Sequence, residues 1–186
     1  AIFLDGERVA DVTTHPAFAG LLHDLCRMYD LQGAPENQDV MTWVSPTSGK
    51  RVSTNYPLPG NGAELQQRRL NAEKWALETW GLLSANPEFN GSTVVGLYDF
   101  RNELAAKNPT WGANAEAYVR YATEHDLFVA HTIQEPQAQR SELYPGQEIR
   151  AGSDLEIVEE RAGGIVVRGA RAFATMAPLA NELFIF

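Results

Sequence analysis

The chain has 186 residues, 44% of them hydrophobic, and 24 acidic residues against 15 basic give it a formal net charge of −9. That charge repels phosphate backbones and anionic lipid surfaces, so neither nucleic acid nor membrane is an expected partner. No uninterrupted apolar run is long enough to cross a bilayer, the single cysteine, Cys26, cannot form an internal disulfide, and a reducing cytoplasmic setting suits both features.

Residues 1–8 read as a strand and turn, with too short an apolar run and no basic leader for a secretory signal. Pro16 suits a first helical position, and Phe18, Leu21, Leu22, Leu25, Met28 and Tyr29 then recur at helical spacing. Cys26 is expected to pack on the apolar face of this helix. His23 is expected to be packed and hydrogen-bonded, because no ligand residue stands at i+4 to share a metal. Gly33, Pro35 and Asn37 end the helix, and residues 40–45 and 51–55 then flank Pro46-Thr47-Ser48-Gly49-Lys50 as a hairpin.

After a loop marked by Pro57, Pro59, Gly60 and Gly62, helical periodicity returns over residues 63–83. Leu65, Ala72, Trp75, Ala76, Thr79, Leu82 and Leu83 fall on one stripe, and Trp75 and Trp80 are expected to fill core or interhelical space. A loop over residues 84–91 leads to a helix over 93–106. Asn108-Pro109 then caps a further helix through about residue 124, with Tyr118 and Tyr121 facing inward.

Phe128, Val129, Ala130 and Ile133 read as a strand that Pro136 stops, so His131 sits on or near its end. The following segment is dense in hydrogen-bonding groups, and its glutamine amides and the Arg140 guanidinium can recognise a planar heterocycle or a phosphate. A polar loop after a strand, with His131 a structural histidine, explains the same pattern, and periodicity leaves both readings open. Two strands follow, over residues 155–160 and 164–169, and a third over 182–186. A mainly helical stretch, residues 1–126, followed by the opening of a β-domain makes the fold class α+β.

His131-Thr132, followed by Pro136-Gln137 and Arg140-Ser141, resembles the flavin-binding loop of the 4-hydroxyphenylacetate 3-hydroxylase family. Arg51-Val52-Ser53, Asp126-Leu127-Phe128 and the segments 164–171 and 174–182 resemble the same family in the same order. The resemblance covers nearly the whole chain and is most specific over residues 164–182. It implies an acyl-CoA-dehydrogenase-like fold, with an N-terminal helical domain over residues 1–126 and the first part of an antiparallel β-barrel-like, flavin-binding domain over 127–186. It also implies the oxygenase component of a two-component aromatic hydroxylase, which takes reduced FAD (FADH2) from a separate flavin reductase and uses molecular oxygen on a small aromatic substrate. The remainder of the β-domain and a C-terminal helical bundle that builds a homotetramer are expected after Phe186.

By the same resemblance, His131 is the catalytic candidate, beside both flavin and substrate. An imidazole titrates near neutrality and can accept a phenolic proton. Thr132, Gln137, Arg140 and Thr175 are expected to bind the cofactor with it, although Thr175 also reads as a strand hydroxyl satisfied by backbone. One departure matters. The family's substrate segment is Gly-Arg-Ser-Pro-Asp followed by an aromatic, whereas this chain has Ser84-Ala85-Asn86-Pro87-Glu88-Phe89. Ala85 therefore stands at the position of the substrate-binding arginine and Phe89 at one often held by tyrosine. The loss of the guanidinium implies a larger or less polar aromatic, in natural-product biosynthesis or aromatic catabolism, or a non-catalytic scaffold. Iron–sulfur acyl-CoA dehydratases share the superfamily, but the absence of cysteine between Trp80 and Glu103 argues against that chemistry, and no metal is expected.

Overall fold

Asp5 and Gly6, both at positive φ (50° and 84°), reverse the chain between β1 (Ile2–Leu4) and β2 (Glu7–Val9) in the computed structural model, which describes residues 1–83, 85–134, 155–172 and 174–185. Two consecutive residues of positive φ match the right-handed twist of a two-residue hairpin, which is why Asp-Gly turns the chain here. His15 caps a short 3-10 turn over Pro16–Phe18 by accepting from the Ala17 N–H (3.2 Å), and α1 (Ala19–Gly33) follows. A single turn, α2 (Gln38–Met41), leads into the antiparallel hairpin of β3 (Thr42–Val44) and β4 (Arg51–Ser53).

Asparagine caps set the next three long helices. In α3 (Gly62–Glu78), the Asn61 Oδ1 accepts from the Ala63 and Glu64 N–H groups (3.0 Å each), and Glu64 reaches back to the Asn61 side chain (2.8 Å). The cap thus satisfies two orphan N–H donors of the first turn, and the Glu64 carboxylate also accepts from the Gly60 N–H just before it. Asn86 starts α4 (Pro87–Asp99) and Asn108 starts α6 (Pro109–His125), each followed by a proline at the first helical position. The short α5 (Arg101–Lys107) lies between them, packed on α6 where Gly112 approaches Ala105. Asp126, in the left-handed region (φ 47°), ends α6 and turns the chain into β5 (Val129–Thr132).

The core gathers where α4, α6 and β5 meet. Tyr56, Val94, Val119, Ala122, Leu127 and Val129 form one buried cluster, against which Tyr98, Tyr118 and Phe184 pack. Two smaller clusters join Leu25 to Phe128 and Met176, and Met28 to Met41 and Trp75. Between them, the Oδ1 of fully buried Asn55 accepts from the Asn71 amide (2.8 Å) and the Trp75 indole (3.1 Å), while the Asn55 Nδ2 and the Asn71 Oδ1 have no hydrogen-bond partner among the described residues. Gly91 on α4 lies directly against this asparagine: a Cβ there would come within 2.8 Å of the Asn55 Cβ and 2.9 Å of its carbonyl oxygen.

Beyond β5, an antiparallel hairpin of β6 (Glu156–Arg161) and β7 (Gly164–Arg168) is followed by β8 (Glu182–Ile185). β8 runs parallel to β5, pairing Val129 with Glu182 and His131 with Phe184. Among the described residues the strands therefore form two-stranded ladders and no closed barrel, and the ladder that carries His131 is parallel where an antiparallel one was expected.

Several local expectations change in the structure. Cys26 is exposed, as is His23, because the buried stripe of α1 runs through Leu25, Met28 and Gln32 and each of the two points away from it. α3 ends at Glu78, and the turn after it holds Trp80 and Gly81 at positive φ (54° and 70°), so the Trp80 ring stands 90% exposed instead of filling the core. Leu65, Leu82 and Tyr121 are likewise exposed, whereas Trp75 is fully buried and Tyr118 packs inward as expected. The segment expected to be a loop through residue 91 is helical from Pro87, and the helix expected over 93–106 breaks at Phe100 into α4 and α5. Among the described residues no helix is long and apolar enough to cross a membrane.

Candidate functional site

β5 is buried along most of its length: Val129, Ala130 and Thr132 lie in the core, while His131, on the face opposite Ala130 and Thr132, is half-buried. α4 packs across that strand, and its first turn supplies the neighbours of the imidazole. The Asn86 cap, which accepts from the Phe89 N–H (2.9 Å), fixes where that turn begins. Phe89 and Asn90 consequently face the strand end. The Phe89 and His131 rings are 5.4 Å apart between centroids and inclined by 49°. The His131 Nδ1 lies 2.9 Å from the Asn90 Oδ1, and the Asn90 amide nitrogen donates to the carbonyl of Ala85 (3.2 Å).

Ala85 and Phe89, four residues apart, are thus brought together with the distant His131. Ala85 is 7% exposed, whereas Phe89 is 49% exposed and offers part of its ring outward. Thr132 is buried beside them, and its hydroxyl donates to the Ala172 carbonyl (2.7 Å). Its single hydrogen is therefore committed, so toward a bound ring system this hydroxyl can act only as an acceptor. Ala172 also donates its N–H to the Gln134 carbonyl (2.8 Å), which ties the end of β5 to the segment leading to residue 174. Thr175 lies on an exposed turn before Met176, not on a strand, and Met176 (φ 64°) anchors that turn against Phe128. Gln137 and Arg140 lie outside the described residues.

Asn90 does not stand out in the sequence, because residues 84–91 read as a loop, where an asparagine is unremarkable. The available signal was Asn86-Pro87, the same cap-and-proline pair as Asn108-Pro109, which would have begun the helix early enough to put Asn90 on its buried face. A cleft of about 560 Å³ opens elsewhere, between the β3–β4 turn, the 56–59 loop, α3 and α6, with Trp43, Tyr56, Arg68 and Tyr98 in its walls. None of the candidate catalytic, cofactor-binding or substrate-binding residues is among those lining it. Among the described residues no group of three or more histidine, cysteine or acidic side chains is placed to hold a metal ion.

The residues around His131 fit a flat, partly polar ring system. The half-exposed imidazole and the partly exposed phenyl ring of Phe89 offer a hydrogen-bonding group and apolar contact together.

The structure superposes on the oxygenase component of 4-hydroxyphenylacetate 3-monooxygenase, crystallised with FAD and 4-hydroxyphenylacetate, with a TM-score of 0.83 and 32% identity, over 98% of this chain and 37% of that one. The chain belongs to the family described as 4-hydroxyphenylacetate 3-hydroxylase N terminal, whose model matches residues 1–186. It is 32% identical over its full length to the 4-hydroxyphenylacetate 3-monooxygenase oxygenase component of Geobacillus sp. (strain PA-9), of which it spans 37%. It is 30% identical to the oxygenase component of a 4-nitrophenol 2-monooxygenase from Rhodococcus sp, over 99% of this chain and 34% of that protein. The chain thus spans little more than a third of the length of these relatives.

Proposed function

We propose that this chain is the N-terminal part of the oxygenase component of a two-component, reduced-FAD-dependent monooxygenase that hydroxylates a phenolic compound. Residues 1–126 form its helical domain and residues 127–186 the first part of its flavin-binding β-domain. The working enzyme is a cytoplasmic homotetramer, supplied with FADH2 by a separate flavin reductase. The observation that carries the reading is the grouping of His131 with Phe89 and Ala85 in a chain matched to the family along its whole length.

The cofactor is held by His131, Thr132, Gln137, Arg140 and Thr175. Bound reduced FAD supplies two electrons for the cleavage of O2, with one oxygen going to the aromatic ring and the other to water. The chain's own part is binding and proton handling. His131 accepts the phenolic proton, which raises electron density at the ring carbon to be hydroxylated, and Phe89 covers one side of the imidazole. Substrate choice follows from residue 85. A guanidinium there would clamp a carboxylate, and the alanine methyl group cannot. The favoured substrates are therefore phenols that lack a carboxylate, whether consumed in aromatic catabolism or modified in natural-product biosynthesis.

The test is to supply the full-length protein with reduced FAD and oxygen and to follow products from a panel of charged and uncharged phenols. Hydroxylated product supports the reading, and peroxide as the sole outcome across the panel overturns it. The presence of Ala85 and Phe89 favours a second reading, a scaffold that keeps the fold without turnover. A titration with reduced FAD separates the two, because the scaffold binds none stoichiometrically.

A further inference from the structure

We infer that Asn90 is the positioning residue of His131: its side-chain amide, held by the Ala85 carbonyl, keeps the neutral imidazole protonated at Nδ1 and leaves the Nε2 lone pair as the proton acceptor. This rests on the proposed role of His131 as the group that takes the phenolic proton. The argument begins at Ala85. A backbone carbonyl only accepts, so the Asn90 atom 3.2 Å from it is the amide NH2. The amide oxygen is then the atom 2.9 Å from the His131 Nδ1. An oxygen facing a ring nitrogen at that distance needs a hydrogen between them, and the only one available is on Nδ1. Turning the amide over would set oxygen against oxygen at Ala85.

Burial makes this choice binding. Asn90 is 1% exposed and Ala85 7%, so water does not compete for either end of the amide. The contact also survives turnover. Protonated imidazole carries hydrogen on both nitrogens, so uptake of a proton at Nε2 leaves the Nδ1 to Asn90 bond in place and the ring need not reorient. With Nδ1 fixed on α4 and the Phe89 ring 5.4 Å away against the imidazole, both the tautomer and the tilt of His131 are set by one helical turn.

The decisive measurement needs no turnover. Solid-state nitrogen spectra of the full-length protein labelled with 15N-histidine, assigned by comparison with a His131→Ala sample, report which ring nitrogen carries the hydrogen. The expected result is a pyrrole-like Nδ1 and a pyridine-like Nε2 at a pH where the ring is neutral. A pyridine-like Nδ1 in the unmutated protein overturns the inference outright. Asn90→Leu should convert His131 to the Nε2–H form and lower the kcat for hydroxylation by roughly 10²-fold, the scale of a general base, with a much smaller change in KM. Asn90→Asp keeps an acceptor opposite Nδ1 and should restore the Nδ1–H form, although its second oxygen gives up the hydrogen bond to the Ala85 carbonyl. An Asn90→Leu protein that folds and keeps the Nδ1–H pattern counts against the inference. If the spectra are as expected but the unmutated enzyme hydroxylates nothing, the proposed function fails and the positioning role stands.

Discussion

The phenyl ring of Phe89 and the imidazole of His131 lie 5.4 Å apart between centroids, inclined by 49°, although one belongs to the first turn of a helix and the other to the end of a strand. An aromatic edge at that distance limits which side of the imidazole a ligand can approach and keeps water from part of it. The chemistry at His131 is therefore open to test one neighbour at a time.

Replacing His131 with alanine should lower hydroxylation by roughly 10²-fold or more, in line with the loss of a general base. The assay compares the full-length variant and parent at saturating reduced FAD, with product quantified against peroxide. Unchanged turnover would return His131 to a structural role.

Ala85→Arg should move preference toward carboxylate-bearing phenols. A charge-assisted hydrogen bond contributes about 1.5 to 3 kcal/mol, so the ratio of activity on 4-hydroxyphenylacetate to that on an uncharged phenol should rise by about tenfold or more. If the ratio does not move, residue 85 does not face the substrate.

Gly91→Ala should destabilise the protein by about 1 to 3 kcal/mol, the usual cost of overpacking a core. The new methyl group would meet Asn55 at 2.8 Å, and Asn55 is itself held by Asn71 and Trp75, so it cannot yield without breaking its own hydrogen bonds. Urea unfolding would read the loss directly, and a fully stable variant would show that α4 can move away from Asn55 freely.

Asp126 predicts a dependence of stability on pH. One carboxylate oxygen accepts from the Gln32 amide, the other has no hydrogen-bond partner among the described residues, and burial raises the carboxyl from its ordinary value near 3.8 to about 6. A carboxyl raised on folding is protonated in the native state at pH values where the unfolded chain has already lost the proton. The native state therefore binds more protons between about pH 4 and pH 6, and stability falls as pH rises through that window. Asp126→Asn removes the penalty while keeping a residue that tolerates the left-handed backbone. It should be more stable than the parent by on the order of 2 kcal/mol at pH 8 and no more stable at pH 4. Equal stability at both pH values would show that the Asp126 carboxyl titrates normally.

Turn and cap chemistry made much of the fold legible in the sequence. Asp5-Gly6, the 46–50 turn and Asn108-Pro109 each act within a few residues, and each produced the expected element. Trp75 and Trp80 show where this stops. Both are tryptophans in one periodic stretch, but the helix ends between them, and the positive φ of Trp80 and Gly81 comes from a turn that hydrophobic periodicity cannot register. In the site, the identity of His131 and the unusual Ala85 and Phe89 were visible as residues. Their meeting depends on the helix that starts at Pro87, and the Asn90 contact follows only from that start. The parallel pairing of β5 was also out of reach, because a strand's own pattern does not say which distant partner it takes or in which direction.

That pairing also sets a schedule. Synthesis delivers the helices and β5 first, and these can form from contacts already available, but among the described residues Val129 to Thr132 find their ladder partners in Glu182–Ile185. While the nascent chain is shorter than this, β5 lacks its β8 partner, and His131 is without Phe184 alongside. The strand that carries the imidazole thus gains its β8 partner late, when the ribosome releases a segment that contributes none of the residues expected to touch flavin or substrate. Anything that delays or misroutes β8 would leave a chain with its helices packed and its His131 strand half built.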